Sequence, residues 1–149
     1  MLEIRKCSYD EVLDSPQFEA LCAEYAQEST RTTLGDYNPQ RDTYAMLEKA
    51  GVLHTLGAFN GDELVGFISV LFNVTPHYGK RIAVSESYFV STKHRAGGIG
   101  VKLLKSAEQL AVEYGAVGLF ISAPVNGTLE KIMPRLSYVQ TNSVFFKGL

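Results

Sequence analysis

Apolar and polar residues change their spacing several times along this chain, and each change marks an element. Leu2 and Ile4 alternate with polar neighbours, which is the period of a half-buried strand. Ser15-Pro16 then supplies an N-cap and a first-turn proline. Phe18, Leu21, Cys22 and Tyr25 follow at helical spacing, so a helix is expected over 16–28. Asn38-Pro39 repeats the start signal, and a second helix is expected to run to Ala50, where Gly51 stops it. The connection between them, Ser29 to Tyr37, is polar and turn-prone.

The middle of the chain reads as strands. Two apolar runs, 53–59 and 63–74, flank Asn60-Gly61-Asp62, and Asn and Gly tolerate the positive φ of a hairpin turn. Thr75 to Lys80 holds Pro76 and Gly79 and reads as a loop before a strand over 81–91. From Gly98 to Tyr114, Ile99, Leu103, Ala107, Leu110, Ala111 and Tyr114 fall on one helical face, and Gly115 ends the helix. Val117 to Ser122 is a short apolar run suited to a buried strand. A short helix over 128–135 and two strands, 138–141 and 143–147, complete the expected order β-α-α-β-β-β-α-β-α-β-β. No repeat, low-complexity stretch or linker interrupts it. The expected fold class is α/β (α+β), a mixed sheet with helices on both faces, in one domain spanning 1–149.

Composition narrows the partners more than the fold. The 149 residues suit one domain, and 46% hydrophobic with 20% charged residues is ordinary for a globular chain. A net charge of −2 lacks the cationic excess of a nonspecific nucleic-acid binder, so no nucleic-acid partner is expected. Cys7 and Cys22 form no CxxC pair and have no ligand-spaced partners, so reduced thiols and no metal are expected. The start, MLEIRKCSYDEV, has no apolar signal core, and no run approaches membrane-span length. A cytoplasmic protein without a membrane partner is the expectation.

The candidate chemistry lies where the 81–91 strand meets the long helix. Ser91 to Gly97 joins them, and Gly97, Gly98 and Gly100 cluster at the helix start. Backbone N–H groups at a helix start lack intrahelical partners, and the helix dipole adds partial positive charge there. A phosphate or pyrophosphate suits such a place. Lys93, His94, Arg95, Lys102 and Lys105 make the region locally basic. A Walker A loop needs GxxxxGK[ST], which is absent. A dinucleotide fingerprint needs a third glycine where Leu103 stands. The pattern R/Q-x-x-G-x-G/A is met by Arg95-x-x-Gly98-x-Gly100.

With Val90, Arg95, Ala96, Gly98, Ile99, Gly100, Leu103 and Leu104 in place, the chain resembles the GNAT superfamily of N-acetyltransferases. Thr92 and His94 stand where that family's stretch has Pro and Tyr. The resemblance implies a mostly antiparallel, twisted sheet of about seven strands whose fourth and fifth strands splay around acyl-CoA. It implies that backbone at Phe89 and Val90 pairs with the pantetheine. Backbone N–H groups of Arg95, Ala96, Gly97, Gly98, Ile99, Gly100 and Val101 would hold the pyrophosphate. Asn126 stands where the family often has an Asn near the pantetheine arm. The implied reaction is direct acetyl transfer from acetyl-CoA to a primary amine of a small molecule or protein, with a homodimer as a further expectation. A relative's activity on charged tRNA is disfavoured by the net charge of −2.

Two further residues enter as catalytic candidates. A carboxylate on the fourth strand is a frequent general base in that family, and Glu86 is the one available here. Glu86, Tyr88 and Val90 share a face if the strand is regular, so Tyr88 would line the same cleft. A surface or structural role is the alternative for Glu86, and core packing is the alternative for Tyr88. The family's usual proton-donating tyrosine falls seven residues after the Asn, which here is Met133, and Met has no proton to give. Tyr138, Ser137, or no side chain at all would then serve the leaving thiolate. The alternative function is an acyl-CoA-binding module with weak or lost catalysis. On the acceptor side, Arg31, Asp36 and an aromatic lining from Tyr25, Tyr37, Tyr44, Tyr78 and Tyr88 are candidates, with a solvated loop as the other reading.

Overall fold

Among the described residues five strands carry the fold, ordered β1-β2-β3-β4-β5 across the sheet as along the chain. In the computed structural model, which describes residues 1–28 and 34–149, β1 (Leu2–Cys7), β2 (Leu53–Asn60), β3 (Glu63–Thr75) and β4 (Lys80–Val90) pair antiparallel. β5 (Leu119–Phe120) joins β4 in parallel. The helices are α1 (Tyr9–Leu13), α2 (Phe18–Glu28), α3 (Arg41–Lys49), α4 (Ile99–Glu113) and α5 (Thr128–Ile132). Short 3-10 turns occupy Thr92–Gly97 and Met133–Leu136.

Helices cover both faces of the sheet, which is why β2 and β3 read as near-continuous apolar runs. On one face Leu103, Leu104, Ala107 and Leu110 of α4 pack on Leu56, Ile68, Val70 and Val90. On the other, Tyr9 and Val12 of α1 and Leu21 of α2 pack on Phe59, Phe67 and Phe89. Leu103 is 0% exposed at the centre of the first core. Leu103→Ala should therefore cost about 2–5 kcal/mol, read as a lower urea midpoint at unchanged m-value.

Four elements differ from the sequence-based expectation. α1 was not expected, yet Ser8 caps it by accepting the Glu11 N–H at 3.1 Å, the first half of a Ser-x-x-Glu box. Asn38 does not cap α3, which starts after Gln40 without a side-chain cap. The strands expected at 138–141 and 143–147 do not form, so among the described residues the sheet has five strands rather than about seven. Val144 and Phe145 are 89% and 91% exposed, and among the described residues no strand pairs with them. An apolar run without a pairing edge has no way to satisfy its backbone as a strand.

His54 is a packed residue at the start of β2. Its ring stacks on Tyr114 with centroids 4.3 Å apart and meets Phe72 edge-on at 5.4 Å. Burial is the main cause that holds its pKa below the ordinary value of 6.5. The unfolded chain thus takes up this proton more readily than the folded one. Stability from this group is full above about pH 6.5 and is lost as the pH falls from there to the lowered folded value. Urea denaturation should show a lower midpoint at pH 5.5 than at 7.5, and His54→Phe should reduce that difference.

Candidate functional site

β4 is irregular where the candidate carboxylate stands. It pairs with β3 from Val90↔Gly66 to Ser87↔Ser69, and the next pair is Ser85↔Val70. Glu86 is left without a partner, as the extra residue of a β-bulge. The bulge overturns the expectation of one shared face for Glu86, Tyr88 and Val90. Tyr88 and Val90 pack into the α4 core, whereas Glu86 reaches the other side, where Tyr44 of α3 donates to its Oε1 at 2.7 Å. Phe89 lies in the core on that second side.

Tyr88 therefore stands apart from Glu86. Its O–H donates to Gly100 O at 2.7 Å, and burial pushes the phenol up to about 12. A Cβ on Gly100 would lie 2.8 Å from that hydroxyl, so any side chain there would displace the Tyr88 hydroxyl from its bond to Gly100 O. Gly98 has φ +73, a left-handed turn that ends one helical segment and starts α4. At Gly97 and Gly98 an added Cβ would meet nothing within 4 Å, so the ground before the helix start is open.

The strand beside that helix has a free edge. Val117 N–H donates to Arg81 O at 2.9 Å and Ala83 N–H to Gly118 O at 3.0 Å. The ladder with β5 ends at Val84↔Phe120, and Ser122 N–H turns to Ser85 Oγ at 3.0 Å. Among the described residues, β4 from Glu86 to Val90 has no strand partner on this side, although Arg95 Nε takes Val90 O at 2.9 Å. An extended amide-bearing ligand would find backbone groups along that edge. At its end, the first N–H bonded back along α4 is Lys102 to Gly98 O, 3.1 Å. The N–H groups of Ile99, Gly100 and Val101 thus have no acceptor within the helix. Ser91 Oγ and His94 Nδ1 are buried in the connecting loop with no hydrogen-bond partner among the described residues. Together these features fit a ligand with an amide arm and a pyrophosphate.

The basic side chains of the loop play a different part from the one expected. Arg95 Nε donates to Val90 O at 2.9 Å, its guanidinium lies 5.2 Å from the centroid of Phe89, and it pairs with Glu28. Lys93 pairs with Glu63 at 3.3 Å, and Thr92 N–H and Oγ1 both bond Glu24. These contacts clamp the loop to β4 and α2. Attraction for an anion at the helix start then comes mainly from backbone N–H groups and the helix dipole.

The remaining candidates scatter. Asn126 sits exposed after β5 in a left-handed turn, φ 62, and its N–H bonds Glu130. Met133 packs against the α4 core, and Tyr138, outside any strand, donates to Glu108 Oε1 at 3.0 Å. Arg31 lies outside the described residues, Asp36 is exposed, and Tyr78 is in the β3–β4 turn. Tyr25, Tyr37 and Tyr44 do gather on the Glu86 side, and Tyr9 joins them. Tyr25 meets Phe89 edge-on at 5.4 Å, and Tyr9 stacks on Tyr44. A cavity of about 10 Å³ lies among Tyr25, Tyr37, Phe67, Phe89 and Cys22. Burial pushes Cys22 up to about 11 and Cys7 to about 12, so neither thiol is a ready nucleophile. Tyr9 was missed in the sequence, although the Ser8-x-x-Glu11 box marks the helix that carries it.

Among the described residues no three His, Cys, Asp or Glu side chains are placed to hold a metal, and no helix is long and apolar enough to cross a membrane. Residues 14–129 match the acetyltransferase (GNAT) family. No curated relative matches the chain in sequence. Among solved structures, it is similar to a ribosomal-protein-alanine N-acetyltransferase from Brucella melitensis biovar Abortus, with TM-score 0.74, 23% identity, and 100% and 99% of the two chains covered. It is also similar to an aminoglycoside acetyltransferase from an uncultured soil metagenomic sample, solved with sisomicin, with TM-score 0.75, 19% identity, and 99% and 96% covered. A transcriptional regulator from Bacillus halodurans has TM-score 0.76, 18% identity, and full coverage of both chains, 100% each. At these identities the likeness shows a shared fold.

Proposed function

The chain belongs to the acetyltransferase (GNAT) family, and from that premise we propose that it is an N-acetyltransferase using acetyl-CoA and a primary amine, with direct transfer while both are bound. The observation that carries this reading is the β4 edge from Glu86 to Val90, which no strand covers among the described residues, leading to the open start of α4. Backbone at Val90 would bind the pantetheine arm, and the N–H groups around Gly97 to Val101 the pyrophosphate. Phe89, in register with Ser91 whose N–H bonds Val65 O, turns its own backbone groups to β3 and away from the free edge. Acetyl-CoA supplies the activated thioester.

Glu86 is the proposed general base. An ammonium has no lone pair, so the carboxylate must take one proton before the nitrogen attacks. The new C–N bond forms at the thioester carbon, and a β4 backbone N–H stabilises the oxyanion. The C–S bond then breaks, and sulfur leaves with its electron pair. One ammonium and one thioester give one amide, one thiol and one released proton. The raised Cys22 thiol argues for direct transfer over an acetyl-cysteine intermediate. The relatives act on a protein alanine and on aminoglycosides by their names, so the acceptor class stays at a primary amine, small or protein-borne.

A second reading, an acyl-CoA binder with little transfer, is favoured by one observation. Met133 replaces a proton donor, and the Tyr138 hydroxyl is committed to Glu108. Thiol release from acetyl-CoA across a broad amine panel separates the two. Release with any amine establishes the transferase, whereas calorimetric acetyl-CoA binding without release with any of them establishes the binder.

A further inference from the structure

Glu86 is held by a chain of phenols. Tyr44 O–H donates to Glu86 Oε1 at 2.7 Å. The Tyr44 ring lies flat on Tyr9, with centroids 3.5 Å apart and planes 4° apart. Tyr9 is fully buried, and its hydroxyl lies 2.8 Å from that of Tyr37. The helix that carries Tyr44 is pinned as well. Arg41 bonds Asp10 and Asp14 at 2.7 and 2.8 Å, and Glu48 accepts the Tyr9 N–H at 3.1 Å. Burial raises the Tyr44, Tyr9 and Tyr37 phenols above their ordinary value, so all three keep their protons at neutral pH. Tyr44 can then only donate toward the carboxylate.

We propose that Tyr44 is a positioning residue for the Glu86 carboxylate: stacked on Tyr9, it occupies Oε1 and leaves Oε2 to face the acceptor amine. A carboxylate on an exposed bulge would otherwise sample several rotamers, and only some present an oxygen to the acceptor. The phenol chain narrows that choice by holding one of the two oxygens. This inference rests on the reading of Glu86 as the base.

A double-mutant cycle tests it, on the full chain with an amine that the wild type acetylates. Tyr44→Phe keeps the ring stack and removes only the hydroxyl. It should lower kcat/KM for the amine about tenfold, as expected for one lost hydrogen bond to a charged group. KM for acetyl-CoA should stay at its wild-type value. Tyr44→Phe combined with Glu86→Gln should be no slower than Glu86→Gln alone, because Tyr44 acts through the carboxylate. Multiplicative losses, or a wild-type rate for Tyr44→Phe, overturn the positioning role while leaving Glu86 as the base. A silent Glu86→Gln, or no transfer by the wild type, overturns the parent reading and this inference with it. Tyr9→Phe, which cuts the link to Tyr37 and keeps the stack, should show a smaller loss in the same direction, and a larger loss than Tyr44→Phe would also overturn it.

Discussion

Glu86→Gln should lower acetyl transfer to an amine by about 10²–10⁴-fold, the range for losing a general base. The amide is the size of the carboxylate and its oxygen still accepts the Tyr44 hydroxyl, so the bulge and its surroundings persist. It cannot take a proton from an ammonium. Acetyl-CoA affinity should be unchanged, because Glu86 reaches the α3 side of the sheet while the proposed pyrophosphate seat is at the start of α4. Thiol release and calorimetric titration report the two quantities separately. An unchanged rate in this variant would remove Glu86 as the base.

The second large effect concerns the seat itself. Gly97→Glu should weaken acetyl-CoA binding by at least about a hundredfold, since like charges brought together cost several kcal/mol. Gly98→Glu should abolish binding too, but there the φ of +73 adds backbone strain that confuses the reading. Gly97 has no positive φ, and its added Cβ meets no protein atom within 4 Å. An unchanged denaturation midpoint with lost binding would therefore isolate the anion seat. Normal acetyl-CoA affinity in Gly97→Glu would refute the proposed cofactor site.

The loop from Arg95 to Gly100 shows how a motif can be legible while its reasons are not. Its place between β4 and α4 follows from the strand run before it and the helical face after it. The reasons for its residues come from distant partners. Gly100 lies against the Tyr88 hydroxyl, Arg95 bonds Val90 O and pairs with Glu28, and Lys93 pairs with Glu63. Each partner lies on another element, and no spacing within the loop specifies it.

Read alone, the sequence determined the order of elements from β1 to the helical turn at Leu136, apart from α1, together with the two-faced burial of the sheet and the glycine loop. Those features are encoded within a few residues, through hydrophobic period, caps and turn glycines. Only the tertiary structure decided which way Glu86 faces, because a bulge arises from the register between β3 and β4. It also decided that Tyr9, Tyr37 and Tyr44 meet beside that carboxylate, since they come from three separate segments. And it decided that 138–141 and 143–147 form no strands, because a strand exists only where another offers it an edge.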